Sequence, residues 1–341
     1  MIANNKAEFE KMNLDIWHKA GFKGKGAKVV VLDSTHRPYA HTNVIDPFND
    51  NIDKAGHKSH VAQTIRELAP EADIVVFSWF GGRKQETVDW IKEHESKICA
   101  ICCSFNTAVG TDIFEQLEGV DIPILNATGN NSDDKIGRGA NYPWTIAVGA
   151  WEEHRDNRAR YSNYGEGLDL VAYTNIYITT ESSNNLMFNG TSCAAPVTTA
   201  ILAIYNGWLN DHGLTKLSRD EAKGFLRQHS LDKLDEGYDF ESGHGLAALP
   251  KDIPVIEIEE PVPPVIEEPI QEEDDIVPEL NDIKGHWAEQ YIQYVVDKGW
   301  MKGYEEGVVS PEDDVFRPDK ALTRAEFAAV VARMDGFTPK K

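Results

Sequence analysis

The chain has 341 residues, 41% of them hydrophobic, and a formal net charge of −22 at neutral pH. That length holds one large domain and a small second one. The acidic balance, with no basic patch, excludes the phosphate backbone of a nucleic acid and an anionic membrane surface as partners, and no apolar run is long enough to span a bilayer.

Residues 1–19 are polar and charged where a secretory signal would be apolar, so no export signal is expected. The turn-rich stretch Gly21-Phe22-Lys23-Gly24-Lys25-Gly26 leads into Ala27-Lys28-Val29-Val30-Val31-Leu32, a β-branched run that predicts a buried strand ending at Asp33. A carboxylate there either stands where open α/β sheets keep their sites or caps a turn through Ser34 and Thr35. His57-Lys58-Ser59-His60-Val61-Ala62 then opens a helical pattern over 61–68. Two histidines three apart can ligate a metal, but no third ligand stands at metal-site spacing, so no metal site is expected.

A strand over 74–77, an amphipathic helix over 87–94 and a strand over 98–105 follow. The last carries Cys99, Cys102 and Cys103, whose neighbouring side chains face opposite ways, so these three and Cys193 are read as free thiols. A helix over 112–117, a strand over 123–126 before Ala127-Thr128-Gly129-Asn130-Asn131, and strands over 144–150 and 168–172 complete the rhythm. Strand and helix alternating in this way predict an α/β domain, a doubly wound and mostly parallel sheet with helices on both faces.

Next, Asn189-Gly190-Thr191-Ser192-Cys193-Ala194-Ala195-Pro196 precedes an apolar run over 197–205. A glycine turn, a serine, small residues and a proline put the Ser192 hydroxyl at the start of a buried helix, with Pro196 in its first turn, where an amide has no partner to lose. Backbone amides and the helix dipole favour negative charge there, as an acyl-transfer nucleophile requires; the same residues also suit a serine that only caps a core helix. A helix over 218–228 opens with Ser218 and Glu221 at capping-box spacing. Gly243-His244-Gly245-Leu246 closes a first domain over 1–250.

Composition changes over 251–280, where prolines alternate with clustered glutamates. Proline removes amide donors and like charges repel, so this is an extended acidic spacer with a reach of about 90 Å at ~3.1 Å per residue. Residues 281–341 regain a helical pattern in two parts, 287–298 and 323–334, which predicts a small all-α module.

With Asp33, His57 and Ser192 on three elements of one α/β sheet, their order is one of three in which this triad occurs. The runs Val29-Val30-Val31-Leu32-Asp33-Ser34, His57-Lys58-Ser59-His60-Val61-Ala62 and Gly190-Thr191-Ser192-Cys193-Ala194-Ala195-Pro196 resemble the aspartate, histidine and nucleophile motifs of subtilisin-like serine proteases, the subtilases. Ala127-Thr128-Gly129-Asn130 is similar to the family's oxyanion segment, and Tyr142-Pro143-Trp144-Thr145-Ile146-Ala147-Val148-Gly149-Ala150 to the strand beyond it. The resemblance implies a subtilisin-like fold and a serine endopeptidase acting on protein or peptide without a cofactor. It makes Ser192 the nucleophile, His57 the base, Asp33 the residue that orients the base, and Asn130 an oxyanion donor; His60 is expected to be a packed helix residue. Ser104-Phe105-Asn106 and Ala127-Thr128-Gly129 resemble the two edges that pair with an extended peptide, with Asn106 where a glycine is common.

Departures from the family pattern carry expectations of their own. Lys58 and Ser59 follow His57 where Gly and Thr are usual. Cys193 replaces the usual Met, so a bulky reagent on its thiol is expected to block the site. Nothing between Asp33 and His57 matches the family's tight calcium loops, which leaves at most a weak calcium site. Trp17 and the glycine-rich stretch after it resemble the family's mature amino terminus, with no recognisable pro-segment before them.

The tail has its own resemblance. Asp282-Ile283-Lys284-Gly285-His286-Trp287-Ala288, Gly303-Tyr304, Phe316-Arg317-Pro318-Asp319 and Thr323-Arg324-Ala325-Glu326-Phe327 look like one S-layer homology repeat. That family anchors proteins to bacterial cell-wall polysaccharide, which implies Trp287 and Arg324 as contacts, although they equally suit a core aromatic and a helix-surface ion pair. The family usually combines three repeats in one binding unit, so a single repeat implies association of chains or repeats lent by another protein. A wall-binding tail implies work outside the membrane despite the missing export signal. The alternative from another class is a wall-associated scaffold whose protease domain is catalytically silent and only binds peptides.

Overall fold

The computed structural model describes residues 2–33, 44–48, 56–79, 82–105, 112–180 and 183–255, with residues 284, 289, 292 and 294 of the tail. The chain divides into two compact units, Met1–Ile258 and Glu259–Lys341, and the architecture below is that of the first. Two short helices, α1 (Lys6–Lys11) and α2 (Leu14–Lys19), precede β1 (Lys28–Asp33). There follow β2 (Val44–Ile45), α3 (His57–Leu68), β3 (Asp73–Ser78), α4 (Lys84–Glu93), β4 (Ile98–Cys103), α5 (Asp112–Gln116) and β5 (Ile124–Ala127). The rest comprises β6 (Thr145–Glu152), β7 (Asn157–Arg158), β8 (Leu170–Tyr173), β9 (Ile176–Ile178), β10 (Leu186–Phe188), α6 (Thr191–Asp211) and α7 (Arg219–His229).

The main sheet has the order β2-β3-β1-β4-β5-β6-β7, with β8 also paired to β6. Every pairing in it is parallel except that of β6 with β7. β1 lies in the middle, with Asp33 beside Ser78 of β3 and Leu32 beside Cys103 of β4. Its side chains alternate between two cores: Val29 and Val31 join Val61, Ile65 and Ile201 on one face, and Val30 and Leu32 join Phe77, Ile91 and Phe114 on the other. A strand buried on both faces needs an unbroken apolar run, and 29–32 supplies it.

α6 is the central helix of the first core. From Thr191 to Leu209 only Ser192 and Tyr205 escape full burial, the pattern of a helix apolar all round. Pro196 is its sixth residue rather than part of its first turn, which corrects the expected placement. A proline there has no N–H for the carbonyl four residues back, so the Ser192 carbonyl must find another donor. α3 begins at His57, earlier than the apolar pattern at 61–68 suggested. α7 begins as expected, with Ser218 and Glu221 forming a reciprocal capping box. The antiparallel pair β9 and β10 was not foreseen from the sequence, being only three residues a strand. All four cysteines are free and buried, and no described helix is long and apolar enough to cross a membrane.

Candidate active site

Parallel strands present their carboxyl ends along one edge, and the predicted site residues gather there. Asp33, only 2% exposed, ends β1; Ser104 follows β4, Ala127 ends β5, and His57 and Ser192 are the first and second residues of α3 and α6. Lys58 is fully buried, and its Nζ donates to Ser78 Oγ at 2.7 Å, tying the first turn of α3 to the end of β3.

Asp33 receives the His57 Nδ1–H, with Nδ1 2.9 Å from Oδ1 and 3.0 Å from Oδ2. A carboxylate on Nδ1 makes that nitrogen the protonated one and leaves Nε2 as the basic atom. Burial works against a charged ring, but the hydrogen bond and negative charge of Asp33 outweigh it, and the His57 pKa lies above its ordinary value. Phe188 of β10 meets the His57 ring edge-on at 5.6 Å between centroids and the His60 ring at 5.5 Å. One aromatic side chain thus packs against both histidines.

Ser192 and Ser104 hold each other. Ser192 Oγ donates to the Ser104 carbonyl at 3.0 Å, and Ser104 Oγ donates to the Ser192 carbonyl at 3.0 Å. The second bond supplies the donor that Pro196 withholds. No hydrogen bond joins Ser192 to His57, whose Nε2 has no hydrogen-bond partner among the described residues. Both side chains nevertheless line one cavity of about 410 Å³ with Asn130, Tyr161, Phe188, Asn189 and Gly190.

Asn130 Oδ1 accepts from the Thr191 amide at 2.9 Å and from Thr191 Oγ at 3.1 Å. Its oxygen is therefore committed, and the amide nitrogen is the end left for a ligand. Ser192 N–H, in the first turn of α6, has no hydrogen-bond acceptor among the described residues. Both residues also line a second cavity of about 190 Å³ with Ser104, Ala127, Gly129, Asn131 and Thr191. Gly190 has φ +87°, a conformation L side chains avoid, and a Cβ there would stand 3.3 Å from Asn130 Nδ2.

Some expected residues have other placements. The Cys193 thiol is fully buried and burial pushes its pKa up to about 12, so in the folded chain it is shielded from a bulky reagent. Thr128 is buried and its hydroxyl donates to the Asn163 carbonyl at 3.2 Å, a structural bond. Phe105 is half-buried, 6.0 Å from the Phe114 ring. Asn106, Trp287 and Arg324 lie outside the described residues. Tyr161, Thr174 and Phe188 were not singled out, because no motif in the sequence marks them and their contacts with the site arise only in the folded chain.

A further cavity of about 800 Å³, lined among others by Ile136, Asp169, Arg227 and Tyr238, contains none of Asp33, His57 and Ser192. Among the described residues no group of three or more His, Cys, Asp or Glu side chains is placed to hold a metal ion.

A model of the subtilase family matches residues 24–245, and one of the S-layer homology domain matches residues 279–328. Alkaline elastase YaB of Bacillus sp. (strain YaB) is 27% identical over 219 residues, 57% of this chain and 58% of the elastase, so the chain spans less than two thirds of that relative. A cellulosome-anchoring protein of Acetivibrio thermocellus is 41% identical over 64 residues, 19% of this chain and 13% of that protein. Among solved structures, the prenylagaramide maturation protease PagA shares the fold with a TM-score of 0.55 at 16% identity, over 69% of this chain and 96% of that one. Because the subtilase match covers more than half of its length, the chain belongs to the subtilase family, and its tail carries a region of S-layer homology.

Proposed function

We propose that this subtilase is a serine endopeptidase that hydrolyses peptide bonds through an acyl-enzyme. The observation that carries the reading is a buried carboxylate bonded to Nδ1 of a histidine that shares a cavity with a serine at a helix start. In this mechanism Ser192 Oγ attacks the peptide carbonyl, His57 Nε2 takes its proton, and Asp33 stabilises the imidazolium that forms. Asn130 Nδ2 and Ser192 N–H hold the oxyanion of the tetrahedral intermediate. His57 returns the proton to the leaving amine, and water then repeats the sequence to release the acid. These steps run on side chains and backbone amides, and neither calcium nor another cofactor is assigned a part in them.

The reciprocal bonds between Ser104 and Ser192 give substrate an active role. Peptide laid between Ser104-Phe105-Asn106 and Ala127-Thr128-Gly129 adds as a strand, and an N–H that takes the Ser104 carbonyl displaces the Ser192 hydroxyl. The freed hydroxyl turns to His57. Around this centre we assign a peptidase domain to 1–250, the acidic spacer to 251–280 and an S-layer homology module to 281–341. The module binds bacterial cell-wall polysaccharide, with Trp287 and Arg324 in contact, so the enzyme acts at the cell wall. The match at 279–328 supports this.

One observation favours the second reading, a silent peptide-binding protein: the Ser192 hydroxyl faces Ser104 rather than His57. Incubating the full chain with a denatured protein and mapping new termini by mass spectrometry decides between them. Cleavage that disappears in Asp33→Asn, His57→Ala and Ser192→Ala supports the peptidase; a bound but intact polypeptide supports the silent form.

A further inference from the structure

The loop that presents Ser192 is gripped from a side that the triad does not explain. Gly190 N–H donates to Tyr161 Oη at 3.2 Å, Tyr161 Oη lies 3.1 Å from Thr174 Oγ1, and Thr174 Oγ1 donates to the Gly190 carbonyl at 3.2 Å. Proton count fixes the direction of the middle bond. The Gly190 amide can only donate and its carbonyl can only accept; Thr174 spends its one hydroxyl proton on that carbonyl, so Tyr161 donates to Thr174. Three bonds then run head to tail from the amide of Gly190, through two side chains, back to its carbonyl.

This circuit has a rigid base. Thr174 is fully buried, follows β8, and its own amide donates to the Trp151 carbonyl of β6 at 3.0 Å. Tyr161 is half-buried with its ring packed on the first core. Burial raises the pKa of its hydroxyl, which keeps it protonated and able to donate. The residue being held is the one whose orientation matters most. Gly190 is the N-cap of α6, its positive φ sets the direction of the two peptide units before Ser192, and Thr191 beyond it is the residue on which Asn130 is anchored.

We propose that Tyr161, through Thr174, is a positioning residue for the oxyanion site, fixing Gly190 so that Ser192 N–H and Asn130 Nδ2 converge on one point. The proposal rests on the serine-hydrolase reading above. Tyr161 lines the cavity shared by His57 and Ser192, but its hydroxyl is spent on the circuit and acts through the backbone. Misaligned donors cost more in the transition state than in the bound ground state, so the effect falls on kcat.

The test uses the full chain and a chromogenic peptide anilide that the wild type turns over. Tyr161→Phe is expected to lower kcat about tenfold or more with KM within about twofold, and its effect is expected to shrink in an Asn130→Ala background, because both act on the same oxyanion. Thr174→Val, equal in shape to threonine, is expected to match that loss, and Thr174→Ser, which keeps the hydroxyl, to restore kcat to within about threefold of wild type. If Tyr161→Phe does not fold, the valine and serine pair at 174 carries the same expectation. A kcat for Tyr161→Phe within about twofold of wild type, full additivity with Asn130→Ala, or a serine variant as slow as the valine variant overturns the positioning role. A wild type that neither turns over the anilide nor reacts with a fluorophosphonate overturns the hydrolase reading beneath it.

Discussion

Asn130 is held by its oxygen, and that is what makes its nitrogen useful. With Oδ1 taken by the Thr191 amide and hydroxyl, the side chain cannot swing away without breaking two hydrogen bonds. Asn130→Ala is accordingly expected to lower kcat by about 10²–10³-fold with little change in KM, a magnitude known from a subtilisin rather than obtained from this geometry. A KM rise with kcat preserved would make Asn130 a substrate contact instead. Cys193 is the opposite case, a residue beside Ser192 to which the proposed mechanism gives no chemistry. Its thiol is buried and its pKa about 12, so bulky maleimides are expected to leave the folded enzyme unlabelled at Cys193 and fully active. Peptide mapping after labelling checks this, and loss of activity that tracks modification of Cys193 contradicts it.

Elements set the site by where they end. β1, β4 and β5 deliver Asp33, Ser104 and Ala127 to one edge, while α3 and α6 begin at that edge and bring His57 and Ser192 to it. Pro196 interrupts the hydrogen bonding of α6, and Ser104 repairs the break by donating to the Ser192 carbonyl. Ser104→Ala leaves that carbonyl without its donor, which is expected to cost about 1–2 kcal/mol of stability and to lower kcat because the nucleophile loses its anchor. Ser218→Ala is the control at a distant helix start: losing the capping box is expected to cost ~1 kcal/mol in urea unfolding with no change in peptide cleavage. Equal losses of activity in both variants would refute the anchoring role of Ser104.

Much of this arrangement was legible in the sequence, for identifiable reasons. The run 29–32 announces a strand buried on both faces because burial on both sides demands unbroken apolarity. The parallel sheet follows from strand and helix in alternation, and Asp33 and Ser192 stand out because each carries a functional group at the end of an element, whereas the roles of His57 and Asn130 came from the resemblance of their motifs to those of the subtilases. What stayed hidden was long-range and unpolarised by pattern. The Tyr161–Thr174–Gly190 circuit joins a loop residue, the residue after β8 and the N-cap of α6, which are separated in sequence and meet only in the folded chain. Phe188 reaches His57 from a three-residue strand too short to show an alternation, and Pro196 looked like a first-turn proline because nothing in the sequence marks Thr191 as the first helical residue.

At the scale of the whole molecule, the proposed organisation joins a peptidase domain through an acidic, proline-rich stretch to a region of S-layer homology. Under the proposed wall-binding role, a single region of S-layer homology is expected to bind weakly by itself, so that retention grows as several chains are brought together. The full chain is expected to co-sediment with purified bacterial cell-wall polysaccharide more completely as its own concentration rises, whereas residues 1–258 alone are expected to stay in solution and still cleave peptides. Equal sedimentation of the two would remove the tail from wall binding.

The central claim is that Asp33, His57 and Ser192 act as one unit. Its most direct test is the rate at which a fluorophosphonate labels Ser192, followed across pH in the wild type and in His57→Ala. Only the neutral imidazole accepts the serine proton, and Asp33 raises the His57 pKa, so the wild-type rate is expected to climb with pH through a single ionisation centred above ~6.5. His57→Ala is expected to label at least about 10³-fold more slowly, with that ionisation gone. Labelling at Ser192 that is independent of pH, or equally fast without His57, would contradict the account.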